Sequence, residues 1–346
     1  MLEMEKTTIK NFSIDQMAGQ RLMVGFDGTE LNNDLKFLIN TLKVGGIILF
    51  AINIETPRQL NRLCTSVQEY ARSVGQPPLF IAIDQEGGTV ARLKKPHFKE
   101  FPGIPELQTK AEAINFATQM ANELTALGIN MNMAPVLDVA PKDFQSIMEK
   151  RTFGHDPEFV SEMGSAFIKQ HQKKGIMAVG KHFPGIGRPT LDSHLDMPEI
   201  DISANDLESF DLIPFYAAID GDVAAMMLSH IHYKKIDPHW PASLSPEIVS
   251  ALLRNKMGFN GIVMTDDLDM GAIINHYDIH TAIHQILTAN VDIALICHKG
   301  PNIETAFEEI KKKMTDGTCL KKKGAQSVLR IMRNKEKYLS LERSIS

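Results

Sequence analysis

The sequence has few cysteines, one tryptophan and no long apolar run. Its three cysteines, Cys64, Cys297 and Cys319, are far apart and odd in number, so we expect neither a disulfide framework nor a cysteine metal site. No apolar stretch approaches the roughly 20 residues that a membrane span needs, and no basic start followed by an apolar segment marks a signal peptide. These absences predict a cytoplasmic protein with no membrane partner.

An excess of charge of one sign is also missing. The chain of 346 residues has 37 Lys and Arg against 42 Asp and Glu, a net charge of −5, and no long basic run, so we expect no nucleic-acid partner. No low-complexity segment, internal repeat or linker-like change of composition divides it. With 43% hydrophobic residues, it can bury the core of one large α/β domain or of two smaller ones.

Short apolar segments alternate with longer amphipathic ones along the chain. Eight of the short segments are bounded by Gly, Pro, Asn or Asp, which is typical of buried parallel strands. They cover residues 21–26, 44–50, 79–84, 129–138, 176–182, 224–230, 261–266 and 291–298. Helical spacing follows in 161–174 and 245–255, and Thr56 with Pro57 predicts the start of a helix that runs to Ser73.

Eight strands that alternate with helices predict a TIM-type (β/α)8 barrel. A doubly wound open sheet is the structural alternative, but no GxGxxG motif follows the first predicted strand. We therefore expect a single barrel domain over residues 1–346, with a closing helix around 324–341.

The predicted strands are apolar inside, whereas nearly every carboxyl end is titratable. The residues at these ends are Asp84, Asp138, Lys181 with His182, His230, Asp266 with Asp267, and His298. Catalytic residues of such barrels lie at the carboxyl ends of the strands. So many titratable groups at one end predict an active site rather than a set of structural groups.

Two carboxylates and a histidine are candidates for catalysis. Asp266 ends an almost wholly apolar strand, where a carboxylate can attack an electrophilic carbon; alternatively one of Asp266 and Asp267 caps the next helix, and Asp267 is the better candidate. Asp192 and His194 lie two residues apart, so an extended loop places both side chains on one side. A carboxylate-bound imidazole suits acid and base catalysis, and a loop-stabilising turn is the alternative.

Single basic residues stand beside glycines in two places. Arg92 and Arg151 could each bind substrate or make a surface ion pair. Asp138, close to Pro135, could serve only to orient a neighbour.

The chain resembles glycoside hydrolase family 3, specifically its single-domain bacterial β-N-acetylglucosaminidases of peptidoglycan recycling. The resemblance covers nearly the whole chain, with the motifs in the family's order and spacing. These motifs are VGGIILF at 44–50, DQEGG at 84–88, APVLDV at 134–139, RTFGHDP at 151–157, KHFPG at 181–185, DSH at 192–194, PASLS at 241–245 and MTDDL at 264–268.

The resemblance implies a retaining hydrolase that needs no metal or cofactor. It assigns the nucleophile to Asp266 and the acid/base to His194, held by Asp192. Its substrate-contacting positions match Asp84, Arg92, Arg151, Lys181 and His182. The implied substrate is a small carbohydrate, a GlcNAc-containing muropeptide or disaccharide, and we expect a monomeric enzyme.

One loop departs from the family, which usually has KHFPGHGDT before the DSH motif. Ile186 and Arg188 replace a His and an Asp, and Pro189 stiffens the loop. We expect the charge of Arg188 to oppose protonation of His194 and to favour an anionic leaving group.

Three other functions remain open on the sequence. The first is a metal-dependent barrel hydrolase that uses His182, His230, Asp266 and His298. The second is a non-catalytic sugar-binding barrel, which the altered loop suggests. The third is a phosphorylase, in which phosphate takes the place of water.

Overall fold

Eight parallel strands close into a barrel, in which their mostly apolar side chains are covered on both faces. The computed structural model describes residues 12–142, 146–188, 196–316 and 318–339. The barrel strands, in spatial order, are β1 (Leu22–Val24), β2 (Gly46–Leu49), β3 (Phe80–Ile83), β4 (Met131–Asn132), β5 (Met177–Phe183), β7 (Ala225–Leu228), β9 (Ile262–Asp267) and β10 (Ile293–Ile296). The predicted TIM-type barrel is confirmed. Two further strands, β6 (Glu199–Ile200) and β8 (His232–Tyr233), pair with each other outside it.

Helices follow the barrel strands and cover their outer faces. The α-helices are α1 (Ile14–Gly19), α2 (Asn33–Asn40), α3 (Pro57–Ser73), α4 (Lys110–Ala126), α5 (Pro157–Lys173), α6 (Ala204–Asp206), α7 (Ile213–Asp220), α8 (Gly271–Ile274), α9 (Ile279–Ala289), α10 (Pro301–Asp316) and α11 (Thr318–Leu339). Leu207–Asp211 and Glu247–Lys256 are π-helical, and Ala51–Asn53, Ile104–Glu106 and Ala242–Leu244 are 3₁₀ turns. The predicted start of α3 is confirmed, since Thr56 Oγ1 accepts the Gln59 N–H at 3.2 Å.

The core has two layers, one inside the barrel and one between barrel and helices. Flexible methionines fill much of the barrel interior, where they adapt to an irregular space. The interior residues include Met23, Ile48, Phe80, Met131, Met177, Met227, Met264 and Leu295. In the outer layer, the predicted apolar face of α5 is buried, and His171 stacks on Phe167 with 4.1 Å between ring centroids.

The last helix, α11, closes the amino end of the barrel. Ile331 and Tyr338 pack against the interior cluster. Lys335, which stands between these two residues in the sequence, is only 1% exposed and donates to Gln20 Oε1 at 2.6 Å. Its Nζ lies 5.0 Å from the ring centroid of Phe80, the first residue of β3. None of the helices that the structure describes is long and apolar enough to cross a membrane.

Strand β4 is shorter than the predicted segment 129–138. Pro135 has no N–H to donate to a strand ladder, and regular pairing ends after Asn132. Leu137 N–H then bonds to the Lys181 carbonyl at 2.6 Å. The chain beyond β4 thereby carries Asp138 to the carboxyl end of β5.

Candidate active site

Five charged side chains form one network at the carboxyl ends of β3 and β5. Lys181 Nζ lies 3.0 Å from Asp84 Oδ1 and 2.7 Å from Glu86 Oε1. Arg151 binds Glu86 through two contacts, Nη2 to Oε1 at 2.7 Å and Nε to Oε2 at 3.0 Å. Arg92 Nη2 lies 3.2 Å from Asp84 Oδ2. The structure thus brings four of the predicted substrate-binding residues together.

The buried carboxylates of this network are held in their charged form. Burial alone would raise the pKa of Asp84, but the charges of Lys181 and Arg92 lower it to about 2. Burial likewise opposes ionisation of Glu86, yet Lys181 and Arg151 hold its pKa below the ordinary value. The pKa of Lys181 is raised, since Glu86 and Asp84 outweigh the effect of burial. Near neutral pH the network therefore holds two anions and three cations, so a net positive charge faces the barrel mouth.

Glu86 was not among the predicted site residues, although it anchors two of them. Its side chain is 1% exposed and holds both Lys181 and Arg151. The signal in the sequence was its spacing, because Asp84 and Glu86 stand two residues apart at the end of a strand. Between them, Gln85 Oε1 accepts the backbone N–H of Arg92 at 2.9 Å and so fixes the segment that presents this arginine.

His182 is oriented by Asp138. Its Nδ1 lies 2.7 Å from Asp138 Oδ2, and since a carboxylate can only accept, Nδ1 donates. The same carboxylate accepts the backbone N–H of His182 at 3.2 Å and of Ile186 at 2.8 Å. Asp138 therefore orients its neighbour, as one interpretation of the sequence proposed, and fixes the first turn of the following loop.

The paired aspartates at the end of β9 have different partners. Asp267 Oδ1 accepts the N–H groups of Asp269 at 3.1 Å and Cys297 at 2.9 Å, and burial raises its pKa to about 6. The predicted helix cap is wrong, because α8 begins four residues later with Met270 at its N-cap. Asp266 is partly exposed, and its Oδ1 accepts the Asp267 N–H at 2.9 Å.

His230 supports this pair from β7. Its Nε2 donates to the Asp267 carbonyl at 2.9 Å, so in the neutral ring Nδ1 accepts from Ser243 Oγ at 2.7 Å. Burial lowers the pKa of His230, although the charge of Asp266 opposes this. With both ring nitrogens occupied, His230 does not fit the ligand set of the metal-dependent alternative. His298 of that set lies instead beside Asp267 and Asp269, with ligand atoms within 4.8 Å of one another.

Asp266 and the network around Lys181 lie at the same end of the barrel, because the parallel strands β3, β5 and β9 all end there. His230 follows β7, the strand between β5 and β9 in the barrel, and its Nε2 contacts Asp267, the neighbour of Asp266. The charges of Asp84 and Asp266 also add to burial in raising the pKa of Cys297. A ligand in this mouth would meet cationic donors on one side and a carboxylate on the other.

The described part of the loop after β5, residues 184–188, packs closely against its neighbours. Tyr233 Oη donates to the Gly185 carbonyl at 2.5 Å. Gly187 packs so closely that a Cβ there would lie 1.6 Å from the Val139 carbonyl oxygen. The predicted catalytic pair, Asp192 and His194, lies outside the described residues.

Arg188, the last described residue of this segment, makes an ion pair that the sequence did not indicate. Its Nε lies 2.9 Å from Oδ2 of Asp211, which is 1% exposed, and its guanidinium lies 5.1 Å from the ring centroid of Phe210. Burial raises the pKa of Asp211 to about 6 against the opposing charge of Arg188. The sequence alone shows Arg188 as a charge without a partner, whereas above that pH the ionised Asp211 balances it.

The chain is similar to known proteins in sequence and in fold. The model of the family described as "Glycosyl hydrolase family 3 N terminal domain" matches residues 13–334. The chain belongs to glycosyl hydrolase family 3. Among family members, it is 34% identical over 297 residues to a β-hexosaminidase of Pseudomonas aeruginosa (strain LESB58), covering 84% of this chain and 86% of that protein.

Two longer proteins are also similar. β-Hexosaminidase A of Pseudoalteromonas piscicida is 34% identical over 316 residues, which are 81% of this chain, and the chain spans about half of its length, 53%. The structure of a glycoside hydrolase family 3 β-N-acetylglucosaminidase from Paenibacillus sp. str. FPU-7 superposes with a TM-score of 0.91 at 33% identity. That match covers 95% of this chain and 63% of the Paenibacillus chain.

Proposed function

We propose that this chain is a retaining exo-β-N-acetylglucosaminidase that removes a terminal non-reducing GlcNAc from peptidoglycan-derived muropeptides. The observation that carries the proposal is that Asp266, at the carboxyl end of β9, lies at the same end of the barrel as the ionised donor network of Lys181, Arg92 and Arg151. Its relatives named β-hexosaminidase and β-N-acetylglucosaminidase support the choice of sugar. We assign the activity to one catalytic domain over residues 1–346, acting as a monomer in the cytoplasm.

In the first step, an Asp266 carboxylate oxygen attacks the anomeric carbon. The bond from that carbon to the leaving oxygen breaks, and protonated His194 gives its proton to that oxygen. Asp266 Oδ1 is held by the Asp267 N–H, so we assign the attack to Oδ2. In the second step, neutral His194 takes a proton from water, whose oxygen replaces Asp266 at the anomeric carbon.

The remaining residues hold the terminal sugar. We assign the sugar hydroxyls to Asp84, Arg92, Arg151 and Lys181, whose charges are fixed by one another, and to His182, which Asp138 orients. Asp192 holds the ring of His194 and favours its protonated form. A preorganised set of this kind needs no reorganisation when charge develops at the anomeric centre.

The test is hydrolysis of an aryl β-N-acetylglucosaminide, followed by NMR in real time and repeated with EDTA and without phosphate. We expect the β-anomer of GlcNAc to form first, at a rate that neither EDTA nor the absence of phosphate changes. Initial α-anomer would contradict retention. Glycan binding without turnover would instead favour the non-catalytic barrel.

A further inference from the structure

Two aromatic side chains lie side by side on the catalytic face, outside the site described above. Trp240 follows β8 and Tyr277 follows α8, and their ring centroids are 5.4 Å apart with the planes at 35°. Both are partly exposed, and each packs its other surface against the core. The loops that carry them follow β7 and β9, so both lie at the carboxyl end of the barrel, where the catalytic groups are.

The aromatic pair is connected to the segment that carries the proposed acid/base. His276 precedes Tyr277, with 6.3 Å between their ring centroids, and its Nε2 lies 2.6 Å from Asp196 Oδ1. Asp196 stands two residues after His194 in the chain. We therefore place the leaving-group side of the mouth, which the acid/base has to reach, next to Asp196 and the aromatic pair.

The loop that presents Trp240 is held in place. Asp237, 3% exposed, accepts the backbone N–H of Trp240 at 3.1 Å and of His239 at 2.9 Å. Its other oxygen accepts from Ser245 Oγ at 2.6 Å. Ser243, in the same stretch, binds His230, which in turn contacts Asp267. The aromatic surface is therefore positioned relative to the nucleophile strand.

We propose that Trp240 and Tyr277 form a platform that binds a second pyranose ring, the one that carries the leaving oxygen. This inference rests on the proposed function. One face of a sugar ring is apolar and matches an aromatic ring in size. A partner protein would need about 800 Å² of surface, and the surface of the two aromatic rings is far smaller than that. Asp196 and His276 beside the rings can bond to sugar hydroxyls. The enzyme would thus prefer a saccharide leaving group.

The kinetic test compares the disaccharide of β-1,4-linked GlcNAc with the β-azide of GlcNAc, whose leaving group is too small to reach the platform. We expect Trp240→Ala to lower the ratio of kcat/KM for the disaccharide to kcat/KM for the azide about tenfold. Trp240→Phe keeps an aromatic face and should retain most of the ratio. Tyr70→Ala, on the outer helix α3, is the matched control. An unchanged ratio in Trp240→Ala would overturn the platform.

Binding can be read separately, because Trp240 is the only tryptophan in the chain. In an Asp266→Asn background, we expect its fluorescence, excited at wavelengths that tyrosine does not absorb, to change saturably with the disaccharide and much less with GlcNAc alone. An equal change with both sugars would contradict a leaving-group role. Should Asp266→Asn remain fully active, the assignment of the nucleophile fails, while the ratio measured in Trp240→Ala still decides the platform.

Discussion

Glu86 and Lys181 form an almost completely buried ion pair, with 2.7 Å between Oε1 and Nζ and side chains that are 1% and 3% exposed. The pair joins the end of β3 to β5, and Arg151 binds the same carboxylate. Desolvated charges of this kind are tolerated only while each keeps its partner. The donor network of the site and the stability of the barrel mouth therefore depend on the same carboxylate.

Removal of Glu86 should destabilise the protein. Glu86→Ala removes the buried carboxylate that balances the charges of Lys181 and Arg151. We therefore expect the free energy of unfolding, measured by urea titration, to fall by roughly 3–5 kcal/mol. Glu86→Gln keeps the shape and should cost less. Glu100, in an exposed pair with Lys95, is the matched control, and Glu100→Ala should have a far smaller effect. Equal effects of the two alanine variants would refute the role given to burial.

Asp211 should make stability fall as pH rises through the acid range. Its folded pKa of about 6 lies above the ordinary value, so between about pH 4 and 6 the folded state holds a proton that the unfolded state has lost. The protonated Asp211 therefore contributes up to about 3 kcal/mol to the free energy of unfolding. This contribution is full below about pH 4 and is lost as the pH rises through 6. The difference between wild type and Asp211→Asn in urea titrations across this range measures it.

Arg188 limits this loss, since its charge favours the ionised form of Asp211. In Arg188→Met we expect the pKa of Asp211 to rise further, so the decline in stability should continue to higher pH than in wild type. Asp206→Asn, on an exposed residue of the neighbouring helix, serves as the control. A pH profile of Arg188→Met that matches wild type would show that the ion pair does not act on Asp211.

Lys335, on the helix α11 that closes the barrel, should lower the free energy of unfolding at neutral and acid pH. Burial lowers its pKa to about 7, so below that pH the folded state holds a buried ammonium, and stability rises as pH increases from about 7 towards 10. We expect Lys335→Met to raise the free energy of unfolding by up to about 4–5 kcal/mol at pH 6.5, and the gain to shrink at higher pH.

Lys337, two residues further along the same helix, gives the control for that change, because its ammonium is exposed and bound to Asp222. Lys337→Met should bring no comparable gain. A loss of stability in Lys335→Met at pH 6.5 would mean that the bond to Gln20 outweighs the cost of the buried charge.

The sequence predicted those parts of the structure that local pattern determines. Apolar segments bounded by turn residues identified the eight barrel strands, and Thr56 with Pro57 identified the start of α3. A barrel then places the strand ends together, so the clustering of Asp84 and Lys181 could be predicted without knowing any distance.

Contacts between distant segments could not be predicted in this way. Arg188 and Asp211 are 23 residues apart, and nothing local indicates that a π-helical turn brings that carboxylate to the arginine. Asp267 matched the pattern of a helix cap, but besides the nearby Asp269 N–H it accepts the N–H of Cys297, which follows the adjacent strand. In both cases tertiary packing chose the partner from several that the local sequence permits.

The central claim is that Asp266 is the nucleophile, and azide rescue tests it most directly. In Asp266→Gly we expect aryl-GlcNAc hydrolysis to fall at least about 1,000-fold, a loss of roughly 4 kcal/mol in transition-state stabilisation. Sodium azide should restore turnover and give the α-azide of GlcNAc, because azide then attacks from the side that the carboxylate occupied. Retention of activity within about tenfold of wild type, or a product that is the β-azide, would contradict the account.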